Sequence, residues 1–408
     1  MKVDVAVIGS GPAGLTASIE LARAELSVAV VDEYYRPGGR LLGQLYDDPK
    51  APVNERRWDG KKLTQELLGQ AEKAGVRLFC GVTAWSVSGC WQIELSGAEV
   101  KTLQARALLL ATGAAEKALP MPGWTLPGVV SVGAAQTFTN VHQVAIGQRV
   151  MVVGVDPLAI SVAMEMKHAG IEVVGIALPQ ASAWSKEEAS PIQALKRLAD
   201  VADLAPNPFL RQMGRMMGTR FSRLAAHILR VPFVQVDGVP LYLRKAVTAI
   251  EGKTGVEAVT LQPVSVHGLP IGRAERIEVD AVCLSAGLYP LSELAQVAGC
   301  MLVDIPELGG LVPLHSHDLQ TNVEGLFVAG NITGIEGAKV AMAQGRLAAV
   351  SIAGSLGKKA SLSLQEAHAG VKQARAESPL RFLPNIAEGR VKMEQLWQQF
   401  HEQKEGAI

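Results

Sequence analysis

Three glycines and an acid are the residues of this chain best suited to chemistry. They are Gly9-Ser10-Gly11-Pro12-Ala13-Gly14, and Asp32 eighteen residues beyond Gly14. Gly9 permits a tight turn out of a strand, Gly11 lets backbone approach a pyrophosphate, and Gly14 lets a helix pack closely on that strand. The free N–H groups of the helix start, around Pro12 and Ala13, together with its positive dipole end, attract phosphate. Asp32 lies at the usual distance for the acid that takes ribose hydroxyls, with Glu33 as the adjacent candidate if the strand runs one residue further.

The surrounding pattern supplies the elements such a motif needs. Val5–Ile8 is a buried-strand run, Leu15–Ala24 is helix-compatible, and Ser27–Val31 reads as a second strand. The order strand, glycine turn, helix, strand, acid is that of a dinucleotide-binding unit. Pro37-Gly38-Gly39-Arg40 marks a turn with open backbone, suited to lie against a flat cofactor. A helix is expected over Gly60–Ala74. Val76–Cys80, Ala84–Ser88 and Trp91–Leu95 read as a small inserted meander. The apolar run Ala105–Leu110 ends on Ala111-Thr112-Gly113, a buried strand closing on a small-residue turn.

A stiff connector follows, with Pro120, Pro122 and Pro127 among glycines, and a domain boundary is placed there. Beyond it the strand-turn-helix pattern repeats: Arg149–Val153, Gly154-Val155-Asp156-Pro157, a helix to His168, and a strand over Glu172–Ile176. Asp156 holds the position of the second glycine. Its carboxylate repels phosphate, its Cβ obstructs it, and no acid follows the second strand to hold a ribose. This copy is expected to keep the fold and to have lost, or strongly weakened, NAD(P)H binding.

Trp184–Arg230 reads as a helical, basic insertion. Phe209, Met213, Met216, Met217 and Phe221 suit either a partner contact or packing on the parent domain. A late strand delivers Gly330-Asn331 to a turn, and Gly334–Lys339 leads into a helix that runs through Val350. From Ser361 the chain is helix-prone, with Met393, Leu396, Trp397 and Phe400 at helical spacing as a docking stripe.

Composition bounds the partners. The 408 residues carry 39 basic and 39 acidic side chains, leaving no electrostatic case for nucleic acid or an anionic membrane. No run is long and apolar enough to span a bilayer, and Met1-Lys2 leads directly into a strand, so a cytoplasmic address is expected. Cys80, Cys90, Cys283 and Cys300 form no CxxC pair and read as buried small residues, giving no support to dithiol chemistry. His315 and His317 are expected to be isolated surface histidines rather than metal ligands; no metal site is expected.

Gly9–Gly14, Asp32-Glu33, Pro37-Gly38-Gly39, Ala111-Thr112-Gly113 and Val328-Ala329-Gly330-Asn331 together resemble the two-dinucleotide-fold flavoproteins. Leu119–Val129, Gly133-Ala134-Ala135-Gln136 and Gly334–Ala338 look more narrowly like the flavin-containing A subunits of opine oxidases. They are also similar to the matching subunits of hydrogen cyanide synthases and dye-linked proline or hydroxyproline dehydrogenases.

The resemblance implies an α/β chain with two Rossmann-like dinucleotide-binding domains, an NAD(P)-like domain inserted in an FAD domain. The segments would be 1–118 and 284–357 for the FAD domain, 119–283 for the insert with its helical excursion near 184–230, and 358–408 for a helical C-terminal tail. It implies FAD held by Gly9, Gly11, Pro12, Ala13, Gly14, Asp32, Glu33, Gly39, Arg40, Thr112, Gly113, Gly330, Asn331 and Ala338. It also implies an electron-relaying role beside a second, catalytic flavoprotein subunit that oxidises an amine or amino acid. A small iron–sulfur subunit is a further candidate partner.

Two departures stand out. The tail after residue 355 lacks cysteine, so no iron–sulfur cluster is expected within this chain. Asn331 replaces the family's aspartate; it can hydrogen-bond a ribityl hydroxyl but brings no charge. No general base can be assigned. The alternative readings are a free-standing NAD(P)H-dependent flavin reductase and a non-catalytic, nucleotide-holding scaffold subunit.

Overall fold

The computed structural model describes residues 1–48, 52, 56–200, 234–378 and 382–405. The buried run Val5–Ile8 forms β1, and α1 follows over Pro12–Arg23. The helix starts earlier than its apolar spacing suggests, because Pro12 takes the first position, where its fixed φ fits and its missing N–H costs nothing. β2 is Val28–Asp32. A 3₁₀ turn (Gly39–Gly43) leads to the hairpin β3 (Leu45–Asp47) and β4 (Arg57–Asp59). Then come α2 (Gly60–Lys73), β5 (Arg77–Cys80), β6 (Thr83–Ser88), β7 (Gln92–Ser96), β8 (Thr102–Gln104) and β9 (Ala107–Leu110).

β10 (Ala114–Glu116) carries the chain to a second unit. It contains β11 (Val129–Ser131), α3 (Val132–Gln136), a π-helical turn (Thr137–His142), β12 (Arg149–Val153), α4 (Pro157–His168), β13 (Glu172–Pro179) and α5 (Pro191–Asp200). It continues through β14 (Val234–Val236), β15 (Val239–Glu251), β16 (Ala258–Pro263), β17 (Glu275–Glu278) and β18 (Ala281–Leu284). β19 (Leu288–Pro290) pairs antiparallel with β10, so the outgoing and returning chains run side by side. After α6 (Glu293–Val297), β20 (Leu302–Ile305) and β21 (Gly310–Pro313), β22 (Leu326–Val328) rejoins the first unit. Three helices end the chain: α7 (Ala338–Ser355), α8 (Leu364–Glu377) and α9 (Ile386–Glu405).

The first sheet is parallel in the order β22-β9-β1-β2-β5, and the second runs β11-β18-β12-β13-β15-β16-β17 with β14 on β15. The chain is thus an α/β protein with two Rossmann-like units, one inserted in the other, and a helical tail. Val76–Cys80 departs from expectation. It belongs to the parallel sheet, with Ala29 opposite Arg77, because the crossover through α2 returns the chain alongside β2. The meander is completed instead by β8. His315 is buried, not superficial. Its Nδ1 donates to Pro313 O at 2.7 Å, and burial lowers its pKa to about 3, leaving the ring neutral. His317 stacks on His368, 4.1 Å between ring centres.

Of the expected basic insertion, α5 falls within the described residues. Phe209, Met213, Met216, Met217 and Phe221 lie outside them. The Met393 stripe docks on Ile305, Leu308, Val312 and Leu314, with Leu396, Trp397 and Phe400 at its margin.

Packing in the first unit is tight where α7 crosses α1. A Cβ at Gly345 would stand 2.3 Å from Ala13 O, whereas one at Gly354, on the same helix, would meet nothing within 4 Å. Gly345→Ala is therefore expected to lower the thermal midpoint by several degrees, in line with overpacking costs of about 1–3 kcal/mol. Gly354→Ala should leave it unchanged or raise it slightly, since alanine is the better helix former by about 1 kcal/mol. Circular-dichroism melts of the two variants check this.

Candidate functional site

The loops that leave the C-terminal ends of β1, β2, β9 and β22 converge on one cavity of about 610 Å³. Parallel sheets bind ligands at this end, where strand ends and helix starts meet. The opposite wall comes from the second unit: Gly133 and Gln136 of α3, and Leu158, Ser161 and Glu165 of α4. A larger hollow, about 1170 Å³, lies across the N-terminal ends of the same strands. Of the acids that line it, Asp4 is already bound by Ser27 and Arg106.

The glycine turn lines the cavity through Gly9, Gly11, Pro12 and Ala13. Gly9 has φ +105°, and a Cβ there would lie 2.3 Å from Ala111 O. A Cβ at Gly11 would meet nothing within 4 Å, so the turn leaves open space where a pyrophosphate needs close backbone approach. Gly11 is also the N-cap of α1 and gives it no side-chain acceptor, leaving the first N–H groups free for an anion. Gly14 stands behind the wall; a Cβ there would be 1.9 Å from Gly9 O.

The two acids at the end of β2 have different partners. Asp32 Oδ2 accepts from Ser10 N at 2.7 Å and Ser10 Oγ at 2.6 Å, while Oδ1 accepts from Tyr34 N at 2.8 Å. Its carboxylate thus ties the strand end to the glycine turn and is engaged by protein donors. Glu33 is exposed at the cavity edge and has no hydrogen-bond or ion-pair partner among the described residues, so its carboxylate is left free.

Gly39 and Arg40 line the cavity, and Arg40 Nε donates to Ala114 O at 3.3 Å. Thr112 also lines it, but its hydroxyl donates to Leu291 O at 2.6 Å and bolts the turn to the returning chain. Gly113, at φ +81°, faces open space. Gly330, Asn331 and Ala338 complete the set from the β22–α7 segment. Asn331 Oδ1 accepts from Glu336 N at 3.1 Å, which leaves the Nδ2 amide as its donor toward a ligand. The N-cap of α7, Gly337, likewise supplies no side-chain acceptor, so two uncapped helix starts open on one cavity.

The second unit's helix differs at this point. Asp156 caps α4 itself, with Oδ1 accepting from Ala159 N at 2.9 Å and Oδ2 from Ser285 Oγ at 2.5 Å. Its carboxylate turns onto the helix start and occupies a donor that a phosphate would use.

Several cavity groups escaped sequence reasoning. Glu165 is 8% exposed, and burial pushes its carboxyl up to about 7 against the lowering donors Gln136, Asn140 and Ser161. The signal available was an acid set among Val162, Ala163 and Met166 on the buried face of α4. Lys339, at an N-terminus that disfavours cations, is held by buried Asp48 at 2.7 Å and lies 5.7 Å from the Trp58 ring centre. Burial works to raise the Glu336 carboxyl, but Arg390 and Arg375 outweigh it and hold it below the ordinary range. Arg375 Nε reaches Glu336 Oε1 at 2.9 Å, Arg390 Nη2 reaches Oε2 at 2.5 Å, and Arg390 Nη1 donates to Thr333 O at 2.7 Å. These contacts join residues far apart in sequence, with no local pattern to mark them.

None of the four cysteines lines this cavity, and all four are free. Burial pushes the Cys283 thiol up, and that of Cys300 to about 11, which opposes thiolate chemistry at either.

Residues 3–345 match the family model described as pyridine nucleotide-disulphide oxidoreductase. The A subunit of opine oxidase from Agrobacterium tumefaciens (strain Ach5) is 28% identical over 395 residues, covering 93% of this chain and 70% of that protein. The HcnB subunit of hydrogen cyanide synthase from Pseudomonas protegens is 27% identical over 391 residues, covering 94% of this chain and 76% of that protein. The crystal structure of L-proline dehydrogenase from P. horikoshii shares the fold, with a TM-score of 0.64 at 21% identity, covering 91% of this chain and 59% of that one. No helix among the described residues is long and apolar enough to cross a membrane.

Glu165 carries a pH signature. Between the ordinary carboxyl value and about 7, the folded chain keeps a proton that the unfolded chain releases. The stability from this site is therefore present at low pH and lost as pH rises through about 7. Across pH 5.5–8 the wild type should lose on the order of 2 kcal/mol that Glu165→Gln does not. Melting curves of both proteins over this range give the difference.

Proposed function

The chain belongs to the pyridine nucleotide-disulphide oxidoreductase family, and on that premise we propose that it is an FAD-binding subunit of an amine or amino-acid dehydrogenase. In this reading it relays electrons from a partner flavoprotein subunit that carries out the amine oxidation. The observation that carries the cofactor assignment is the pair of uncapped helix starts, α1 and α7, facing one cavity, while α4 is capped by its own Asp156. A flavin dinucleotide has a pyrophosphate for the first start and an electron-accepting ring for the second, whose dipole favours negative charge. Gly11 provides the close approach, Glu33 the ribose contact, and Asn331 a hydrogen-bond donor for the ribityl chain.

When bound, the flavin supplies the redox chemistry and the protein supplies its position and electrostatics. The relatives named as subunits of opine oxidase and hydrogen cyanide synthase support a partner chain and an amine-type substrate. The self-capped α4 supports a second unit that does not take NAD(P)H from solution. The isolated cysteines argue against a dithiol relay.

Anaerobic mixing of the purified protein with NADH tests this directly. The visible spectrum should show bound flavin that NADH leaves oxidised and that reduces in the presence of the partner chain and its amine. Rapid bleaching by NADH alone would identify a free-standing reductase instead. Flavin that neither route reduces would identify a scaffold.

The ribose assignment has its own check. Glu33→Ala should raise the FAD Kd about 10–100-fold, the loss of a hydrogen bond to a charged group, with little change in melting of the apoprotein. Asp32→Ala should instead lower the apoprotein melting temperature, because Ser10 and Tyr34 lose their acceptor.

A further inference from the structure

Apart from Asp32 and Glu336, whose partners are given above, the cofactor reading leaves two acids of the cavity unused: Glu116, which accepts from Ser131 Oγ and Gly133 N and is held at the edge of α3, and Glu165. Glu165 projects from α4 and meets the first unit through one shared amide. Asn140 Nδ2 donates to Glu165 Oε2 at 2.6 Å and to Gly43 O at 2.7 Å. Gly43 closes the turn whose Gly39 and Arg40 line the same cavity. Gln136 Nε2 donates to both carboxylate oxygens, at 3.1 and 3.3 Å, and Ser161 Oγ donates at 3.1 Å. Glu165 is therefore fixed in place, nearly buried, and still part of the cavity wall.

Among the described residues no ion pair holds its charge. Arg57 of β4 acts on it only through its field. α3 contributes no ionisable side chain, and His142 of the π-turn is engaged by Tyr34 at 3.2 Å. Arg149 of β12 pairs with Glu172 of β13. On its own helix, Lys167 and His168 face Asp237. The donor set also accommodates both protonation states. The amides of Gln136 and Asn140 give N–H groups to the carboxylate, and the Ser161 hydroxyl can turn from donor to acceptor once the acid carries a proton. Further negative charge entering the cavity beside an acid so placed raises its proton affinity.

We infer that Glu165 is the proton-exchanging residue of the flavin cavity. It takes one proton from solvent as electrons from an external reductant enter the bound flavin, COO⁻ becoming COOH. It returns that proton when the electrons leave. The inference rests on the cofactor reading above.

Infrared difference spectroscopy on the holoprotein, reduced electrochemically at pH 8, reads this state. The reduced-minus-oxidised spectrum should show a new carboxylic-acid C=O band that shifts in D₂O. The band should vanish in Glu165→Gln, move in Glu165→Asp, and rise in frequency in Ser161→Ala, where the acid loses its acceptor. Flavin absorbance and melting curves establish that each variant is loaded and folded, and the Ser161→Ala and Glu165→Asp arms decide the matter if Glu165→Gln fails to load. A flavin-bearing wild type with no such band, or a band unchanged in the loaded variants, overturns this inference alone. A wild type that binds no flavin overturns the cofactor reading and this inference together.

Discussion

Contacts too close for a side chain hold the first unit together. Gly14 sits on the Gly9 carbonyl, Gly9 on that of Ala111, and Gly345 on that of Ala13. Through these contacts β1, α1, β9 and α7 meet at one point. The crowding aims the start of α1 at the cavity and leaves the Gly11 side open. Asp32 secures the same point from β2 by binding Ser10, and Gly38 N adds a bond to Ser10 O at 2.9 Å. An acid used this way is structural, and its neighbour Glu33 is free because Asp32 is not.

The two units carry the same βαβ element and part at the start of its helix. In α1 the N-cap is a glycine with nothing to offer the helix, so the donors wait for a ligand. In α4 the equivalent donors meet Asp156, itself steadied by Ser285. An N-cap bond stabilises a helix by about 1 kcal/mol, so the second unit gains stability where the first keeps a binding site. The second unit still serves the cavity, because the side of α4 forms one wall of it.

The tail has a comparable role. Arg375 of α8 and Arg390 of α9 converge on Glu336, one residue before the N-cap of α7. A buried carboxylate needs such partners, and here they also fasten the last helices to the turn that borders the cavity. The apolar stripe around Met393 secures the same helix along its length against Leu308 and its neighbours.

The glycine turn, both βαβ units and the tail stripe were legible in the sequence because each is local: periodicity, a turn motif and an acid at fixed spacing need no distant partner. Tertiary structure alone decided which acid at the end of β2 is free, since the engagement of Asp32 depends on where Ser10 lies in space. It placed Val76–Cys80 in the parallel sheet through the crossover geometry of α2. It also buried Glu165 and joined it to Asn140 and Gly43, residues 25 and 122 positions away that no linear pattern connects. Local hydrogen bonding and backbone sterics are written in consecutive residues, whereas desolvation belongs to whatever packs on top, and that is set only when the two units close on one another.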